Sequence, residues 1–576
     1  MNKITLYNIT EFTITRFLYS CILGNKNFVL SVDPILPFSG WFLRQIVSVA
    51  YKCGRARDAI KLRPELSSIR TIYAEIYLYN IFGQTERKQN EVFHFDIADR
   101  SIPEDAAAYK KVTCNYMAAR HLTILMIAEI TDKMRDTEFV ILGLMPATKQ
   151  ILEEYTGRSY ENTAHSTASF LFGIINCVQA ACILLFTWLW IARHTRPLKV
   201  KRRQFFLAAD YINDPRDHEI YRECSQGGDV LLVKRKNVSP SQHEAELQNY
   251  MFCRASDGRL DISAAMASLA RTSTDTLKFL SEFSANEPAH FFQIASLPYR
   301  RVKLQALFNR YCPKFYWGRD EYNVEHILRR QELNKVGAKS FGILHSLPTY
   351  CDHFPMWRHI SHDRFYVFGR KVHEQHRDTW APDMEVVPVG SFGMNRDDYK
   401  EIGKSLSRDI GVFAGIFTNI EKFVEIVREI AETYPNRKVY LQVKSNYAGT
   451  SAGKKFIAAC QSDLPNVIHT TDPLFTIFRN IGYVFSDPST VVVEALQFGL
   501  MPFMLDISPK HQKCVYREYD GLCVKSGTEA IARIREIEAD EWVYPRDEYG
   551  ELIDLSGKIV FDVIANDMGL ETLSSG

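Results

Sequence analysis

Residues Ser486–Asp506 read SDPSTVVVEALQFGLMPFMLD. A small polar cluster runs into a strongly apolar stretch, and that stretch carries a single carboxylate, Glu494. Pro488 and Ser489 suit the entry to a helix, Ser489 or Thr490 suits its cap, and Gly499 suits its end. YVFSD before the helix and PFMLD after it read as short buried strands. Strand–helix–strand passages with apolar strands build parallel sheets, where ligands sit beyond the carboxyl ends of the strands. Free N–H groups and the helix dipole favour a phosphate there. Ser489 and Thr490 add hydroxyl donors, and Glu494, about one turn deeper, is placed to accept from both hydroxyls of a ribose. A capped helix with a solvent-facing glutamate has the same spacing, so spacing alone leaves both readings open.

The same alternation extends outward in both directions. Upstream, RQFFLAADYI, GGDVLLVKRK, CPKFYWGRDEY, AKSFGILHS, RFYVFGR and MEVVPVGS read as strands, with a helix expected from Asn323 to Val336. From Ile410 the pattern restarts with DIGVFAGIF, the helix IEKFVEIVREIAETYP, RKVYLQVKS, NVIHT and a helix near Leu474–Arg479. The restart, VGSFGMNRD (Val389–Asp397), marks a hinge in which Gly390 and Ser391 are small enough to permit closure. Two α/β units are therefore expected, over 205–389 and 390–576.

The pattern S-x-x-S-T-x-x-x-E-A-L-x-x-G-x-x-P, carried here by Ser486, Ser489, Thr490, Glu494, Ala495, Leu496, Gly499 and Pro502, resembles the donor-site motif of GT-B glycosyltransferases. It is especially similar to that of bacterial surface-polysaccharide and CDP-glycerol-type transferases, and UDP-sugar 2-epimerases share a related pattern. The resemblance covers roughly residues 200–575. It implies an α/β fold of two Rossmann-like domains facing a cleft, a nucleotide-activated donor held mainly by the second domain, and no obligatory metal or other cofactor. Ser486, Ser489, Thr490 and Glu494 would then bind the donor.

Cys312–Ser346 resembles a passage of such enzymes in which one strand ends in an acidic loop and the next in a His-Gly loop; here Ser346 follows His345. His345 is a candidate base toward an acceptor hydroxyl, or a donor to phosphate. Asp320 and Glu321 are candidates to act as base or to orient the acceptor. Tyr440–Gly449 resembles a Lys-x-His-Pro segment of which only Lys444 is kept, a point charge suited to phosphate. Thr418, in GIFTN, is a candidate donor in a backbone nest. Asp210 ends a strand beside Asp214, Arg216 and Asp217 and is a candidate acceptor-side base, although turn chemistry at Asn213-Asp214-Pro215 explains much of that loop.

Composition fits a large folded chain of several domains: 576 residues, 46% hydrophobic and 24% charged. A net charge of +2 argues against a general nucleic-acid binder. The twelve cysteines show no zinc spacing and read as reduced, buried and cytosolic. The first residues do not read as a signal peptide. Ser166–Ala192 carries no charged side chain and is long enough to span a bilayer; a basic flank with Arg193, Arg196, Lys199, Lys201, Arg202 and Arg203 follows it. Domains are thus expected at 1–165 (an α/β accessory unit without a chemical motif), 166–192 (a membrane-associated or transmembrane helix) and 193–204 (a juxtamembrane flank). Two topologies are open, a true span with an exported N-terminal domain or a re-entrant or in-plane anchor with both sides cytosolic, and the second is favoured.

The reading that results is an inner-membrane glycosyltransferase of envelope or capsular polysaccharide assembly, with its catalytic region in the cytoplasm. It would move a glycosyl or alditol-phosphate group from a nucleotide-sugar or CDP-alditol donor to a lipid-linked or polysaccharide acceptor. The alternatives are a nucleotide-sugar epimerase or hydrolase of related fold, and a non-catalytic envelope-assembly scaffold.

Overall fold

The computed structural model describes residues 3–25, 27–36, 39–62, 80–160, 168–196, 201–212, 214–234, 247–319, 321–347, 355–404, 407–415, 419–507 and 514–570. Asp320 and Thr418 lie outside these described residues.

Three parallel sheets carry the chain. The first is four-stranded, in the order Ala56–Asp58, Asn27–Val32, Lys3–Ile9, Glu138–Leu142. The second is seven-stranded, in the order Glu385–Pro388, Arg364–Val367, Lys339–Ile343, Tyr311–Gly318, Arg203–Ala209, Val230–Lys234, Met251–Arg254. The third is six-stranded, in the order Val467–His469, Val439–Val443, Ile410–Ala414, Tyr483–Ser486, Met501–Leu505, Cys523–Val524. In the second and third sheets the earliest strand sits inside, and the chain first builds outward on one side and then on the other. This is the doubly wound pattern, with a switch point beside that first strand.

Burial explains the strands. Ile410–Ala414 and Tyr483–Ser486 are buried at every position, as expected where helices cover both faces. The helix Ile420–Thr433 buries Phe423, Ile426, Val427 and Ile430, one face of a 3.6-residue period, and Asn419 caps it through Lys422 N at 3.3 Å. The expected hinge is hydrogen-bonded rather than loose. Ser391 N donates to Gln497 Oε1 at 2.8 Å, and a Cβ at Gly390, whose φ is +80°, would lie 2.1 Å from the Gln497 amide. The C-terminal helix Val560–Asp567 returns to the second sheet, where Phe561 and Ile564 join the core of Ile220 and Tyr221.

The N-terminal unit is joined tightly to the second sheet. Its helix Ala106–Lys133 buries Lys111 completely, and the ammonium donates to the carbonyls of Met356 and Arg358. Arg301, Asp105 and Glu332 form a buried ion-pair group across the same boundary.

The apolar helix runs from Ala168 to His194 and is long and apolar enough to cross a membrane by length and composition. It packs along the amphipathic helix Ile262–Phe283 and on Pro288–Ala295 and Leu297–Arg310, three helices that the strand-by-strand sequence reading did not separate. Its buried side carries its polar residues, Asn176, Gln179 and Thr187; Asn176 donates to the carbonyls of Ser284 and Asn286, both at 2.8 Å. Its outward side is apolar, with Phe170, Ile174, Val178, Leu185 and Leu189 each about half exposed or more.

Candidate active site

The carboxyl ends of the third sheet open on a cleft of about 1040 Å³, closed on its far side by loops of the second sheet. Tyr322, His345 and Leu347 line it from the second sheet. Gly415, Lys444, His469, Ser486, Asp487 and the segment from Pro488 to Val491 line it from the third.

The switch point of the third sheet lies between Ile410–Ala414 and Tyr483–Ser486, paired in register Phe413↔Ser486. Asp487, buried there, accepts from Gly415 N through both carboxylate oxygens, at 2.9 and 2.8 Å. A Cβ on Gly415 would sit 2.9 Å from that carboxylate, so the close approach requires glycine. Ser486 is fully buried, and its hydroxyl donates to the carbonyls of Phe413 and Asp487. It ties the strand ends together.

The helix begins at Val491, with Thr490 as its N-cap. Ser489 Oγ accepts from Val491 N at 3.2 Å, and the Thr490 side chain makes no capping bond. Val492 N donates to the Ser489 carbonyl at 3.3 Å, so the start of this helix presents its positive dipole end and the Thr490 hydroxyl to the cleft. Lys444 ends the strand Val439–Val443, is exposed in the cleft, and has no ion-pair partner among the described residues. His469 ends Val467–His469, and its Nε2 meets no hydrogen-bond partner among the described residues.

Glu494 lies behind this surface and outside the cleft lining. Its carboxylate accepts from Ser391 Oγ at 2.7 Å, so it touches the inter-domain linker. Burial pushes its pKa up to about 7, against the lowering effect of the Ser391 hydrogen bond and the Arg216 charge. The folded state thus binds this proton more tightly than the unfolded chain, in which a glutamate titrates near ~4.3. The contribution to stability is present at acid pH, falls as pH rises through the window between those values, and is gone above about 7. Glu494→Gln is expected to match the wild type near pH 4 and to exceed it at pH 8 by about 1–3 kcal/mol, measured by denaturant unfolding at both pH values.

From the second sheet, His345 follows the strand Lys339–Ile343, and Glu321 and Tyr322 follow Tyr311–Gly318. Glu321 is fully buried and accepts from His345 Nδ1. That fixes the tautomer and turns Nε2 outward with its lone pair, where Tyr322 Oη donates to it at 2.5 Å. Asn115, from the N-terminal unit, holds this loop by donating to the Tyr322 carbonyl at 2.8 Å. An imidazole oriented by a buried carboxylate and aimed at a cleft is equipped for general-base work.

Asp210 is a correction to the sequence reading. It is buried, ion-paired to Arg329 at 3.0 Å and absent from the cleft lining, so its charge neutralises a buried guanidinium. The second sheet's own switch point is filled. Arg319 pairs with Asp214 at 2.7 Å and Asp217 at 2.8 Å, Trp317 Nε1 donates to Asp217, and the Phe392 ring lies 5.2 Å from the Arg319 guanidinium. Burial pushes Asp217 up to about 6 despite Arg319; Asp214 is held well below the usual range, because Arg216 and Arg319 outweigh its burial. Among the described residues no group of three or more His, Cys, Asp or Glu side chains has metal-binding geometry.

Sequence reasoning thus brought His345, Lys444, Ser486, Ser489 and Thr490 to one cleft and passed over Asp487, Tyr322 and His469. Asp487 and His469 each end an apolar run, the signal that marked Asp210, whereas His345 was reached by resemblance to a His-Gly loop. Tyr322 carried no signal of its own.

No protein-family model matches the chain, and no curated protein matches it. Among solved structures it is similar to the glycosyltransferase of kitacinnamycin, at 12% identity over 64% of this chain and 98% of that one, TM-score 0.39. It is also similar to the wall teichoic acid polymerase TagF soaked with CDPG, at 9% identity over 70% of this chain and 98% of that one, TM-score 0.38. A third likeness is to a protein described as a UDP-N-acetylglucosamine 2-epimerase from Listeria monocytogenes, at 11% identity over 64% of this chain and 94% of that one, TM-score 0.36. The GT-B architecture stands on the two doubly wound sheets and the cleft between them.

Proposed function

We propose that this GT-B chain is a glycosyltransferase of cell-envelope assembly, moving a glycosyl or alditol-phosphate group from a nucleotide-activated donor to a lipid-linked or polysaccharide acceptor. One observation carries the reading. A carboxylate-oriented imidazole from one domain and an unpaired lysine beside a helix N-terminus from the other meet in a single cleft. Transfer needs both. As the acceptor oxygen attacks, His345 Nε2 takes its proton, and Glu321 stabilises the imidazolium that forms. The bond from the transferred group to the nucleotide phosphate breaks, and its electron pair leaves on a phosphate oxygen. Lys444 and the positive dipole end of the helix Val491–Phe498 oppose that charge. The Tyr322 hydroxyl occupies the position at Nε2 that the acceptor hydroxyl takes in the reaction.

We further read the helix Ala168–His194 as an in-plane anchor on the cytoplasmic face of the inner membrane. Its polar side chains face the protein and its apolar side faces outward. The neighbouring helix Ile262–Phe283 exposes Lys278 and Glu282 alongside it, charges that a span would carry into hydrocarbon. An anchor of this kind raises the local concentration of a lipid-borne acceptor at the cleft.

Thermal unfolding with nucleoside diphosphates and monophosphates tests the donor site. At least one nucleotide is expected to raise the midpoint by a few degrees at saturating concentration. Lys444→Ala is expected to weaken that nucleotide about 10-fold or more, as loss of a charge-assisted contact does. No shift with any nucleotide would overturn the proposal. Nucleotide release that depends on added lipid extract separates a transferase from an epimerase.

A further inference from the structure

We propose that the cavity at the C-terminal end of the apolar helix is a binding site for the phosphate of an anionic membrane phospholipid, closed by Arg193, Arg196 and Arg259. The inference rests on the in-plane membrane reading above and gives that membrane a located headgroup contact. The cavity is about 610 Å³, with Phe186, Leu189 and Trp190 on its apolar side and the three arginines on its polar side.

The arginines come from separate parts of the chain and are brought together by structure. Thr195–Arg196 pairs with Leu260–Asp261 as a short two-stranded sheet, which sets Arg259 beside the helix end. Arg259 Nη1 is pinned by the carbonyls of Ser256 at 3.0 Å and Gly258 at 2.7 Å. Its orientation therefore needs no ligand. None of the three arginines has a carboxylate partner among the described residues. Of the acids nearby, Asp257 accepts from the backbone N of Arg254 at 2.7 Å, and Asp261, in register with Arg196, accepts from Ala264 N at 2.9 Å. Burial and the neighbouring charges of Arg196 and Arg310 lower the Arg259 pKa and outweigh the opposing charge of Asp257, so like-charge repulsion dominates there. An anion relieves that repulsion, and the guanidinium fork matches the oxygens of a phosphate.

The apolar wall decides the source of the phosphate. Leu189 and Phe186 are 61% and 56% exposed, and they continue the charge-free outer side of the helix through Leu185, Val178, Ile174 and Phe170. At 1.5 Å per residue this surface runs for about 30 Å. A free phosphate ion gains nothing from it. A phospholipid places its phosphate among the arginines and its acyl chains along Phe186 and Leu189, at the depth where an interfacial tryptophan such as Trp190 sits.

The test uses the full chain and vesicle co-sedimentation. Wild type is expected to bind phosphatidylcholine vesicles containing phosphatidylglycerol about tenfold more tightly than phosphatidylcholine alone, in line with the worth of several basic residues at an anionic surface. The combined Arg193→Lys, Arg196→Lys and Arg259→Lys variant keeps every charge and is expected to lose at least about fivefold of that preference while binding neutral vesicles as before. Arg259→Lys alone is the milder variant and is expected to lose part of the preference. Equal binding by wild type and the lysine variants would mean diffuse attraction by the basic flank, which overturns the site and leaves the anchor standing. Release of the wild type from the vesicles by millimolar inorganic phosphate would overturn the lipid as the source. Wild type that binds neither kind of vesicle, or that self-associates through the apolar side instead, would overturn the anchor and the site together.

Discussion

His345→Ala is expected to lower turnover by about 10²–10⁴-fold while leaving the nucleotide-induced thermal shift unchanged. The side chain belongs to the second sheet, and the donor groups belong to the third. Removing the base therefore removes proton transfer and leaves donor binding intact. Glu321 acts through His345 as a positioning residue. Its carboxylate is fully buried and accepts the Nδ1–H hydrogen bond, so Glu321→Gln is expected to lower kcat by about 10-fold or more, with little change in the KM of the donor. Glu321→Asp, which keeps the charge, is expected to recover part of that loss. Equal falls in kcat and in nucleotide binding for His345→Ala would mean that the loop acts on the donor and is no base.

Arg319→Ala is expected to produce the largest loss of stability, about 3–5 kcal/mol, because it strands the buried Asp217 at a filled switch point and leaves Asp214 with Arg216 alone. Arg319 is 3% exposed and Asp217 is fully buried; without the guanidinium, Asp217 keeps only the Trp317 indole donor among its ion-pair and hydrogen-bond partners described above. The deficit has a direction in pH. Asp217 already titrates near about 6, and a protonated carboxyl needs no counter-charge. The variant is therefore expected to close part of the gap to wild type at pH 5 and to show it in full at pH 8, by urea unfolding at both values. The same change removes one of the two guanidinium contacts on the Phe392 ring and leaves that of Arg216 at 5.8 Å.

What the sequence disclosed follows from what is local. Apolar runs bounded by small polar residues locate strand ends, and parallel sheets put chemistry at strand ends. Ser489 and Thr490 were found on that signal, and Lys444 and His345 by resemblance to strand-end segments of known transferases. The same signal marked Asp210, and there it misled, because a strand-end carboxylate in a cleft and one buried against Arg329 look alike until the partner is known. Glu494 has the spacing of a ribose ligand, yet its side chain turns to Ser391, a contact between segments over a hundred positions apart. The Glu321–His345–Tyr322 arrangement and its support from Asn115 also join distant segments, and no one of them is a pattern in itself. In the apolar helix, Asn176 and Gln179 were visible as oddities; only packing made their side the protein-facing one.

The central claim is that the open switch point of the third sheet holds a nucleotide diphosphate. A crystal structure of the protein soaked with the nucleotide that gives the largest thermal shift tests it most directly. The account predicts phosphate oxygens within hydrogen-bond distance of the first turn of Val491–Phe498, with the Lys444 ammonium beside them. A nucleotide seated instead in the cavity of about 880 Å³ over the N-terminal sheet, between Tyr7 and Arg158, would contradict it.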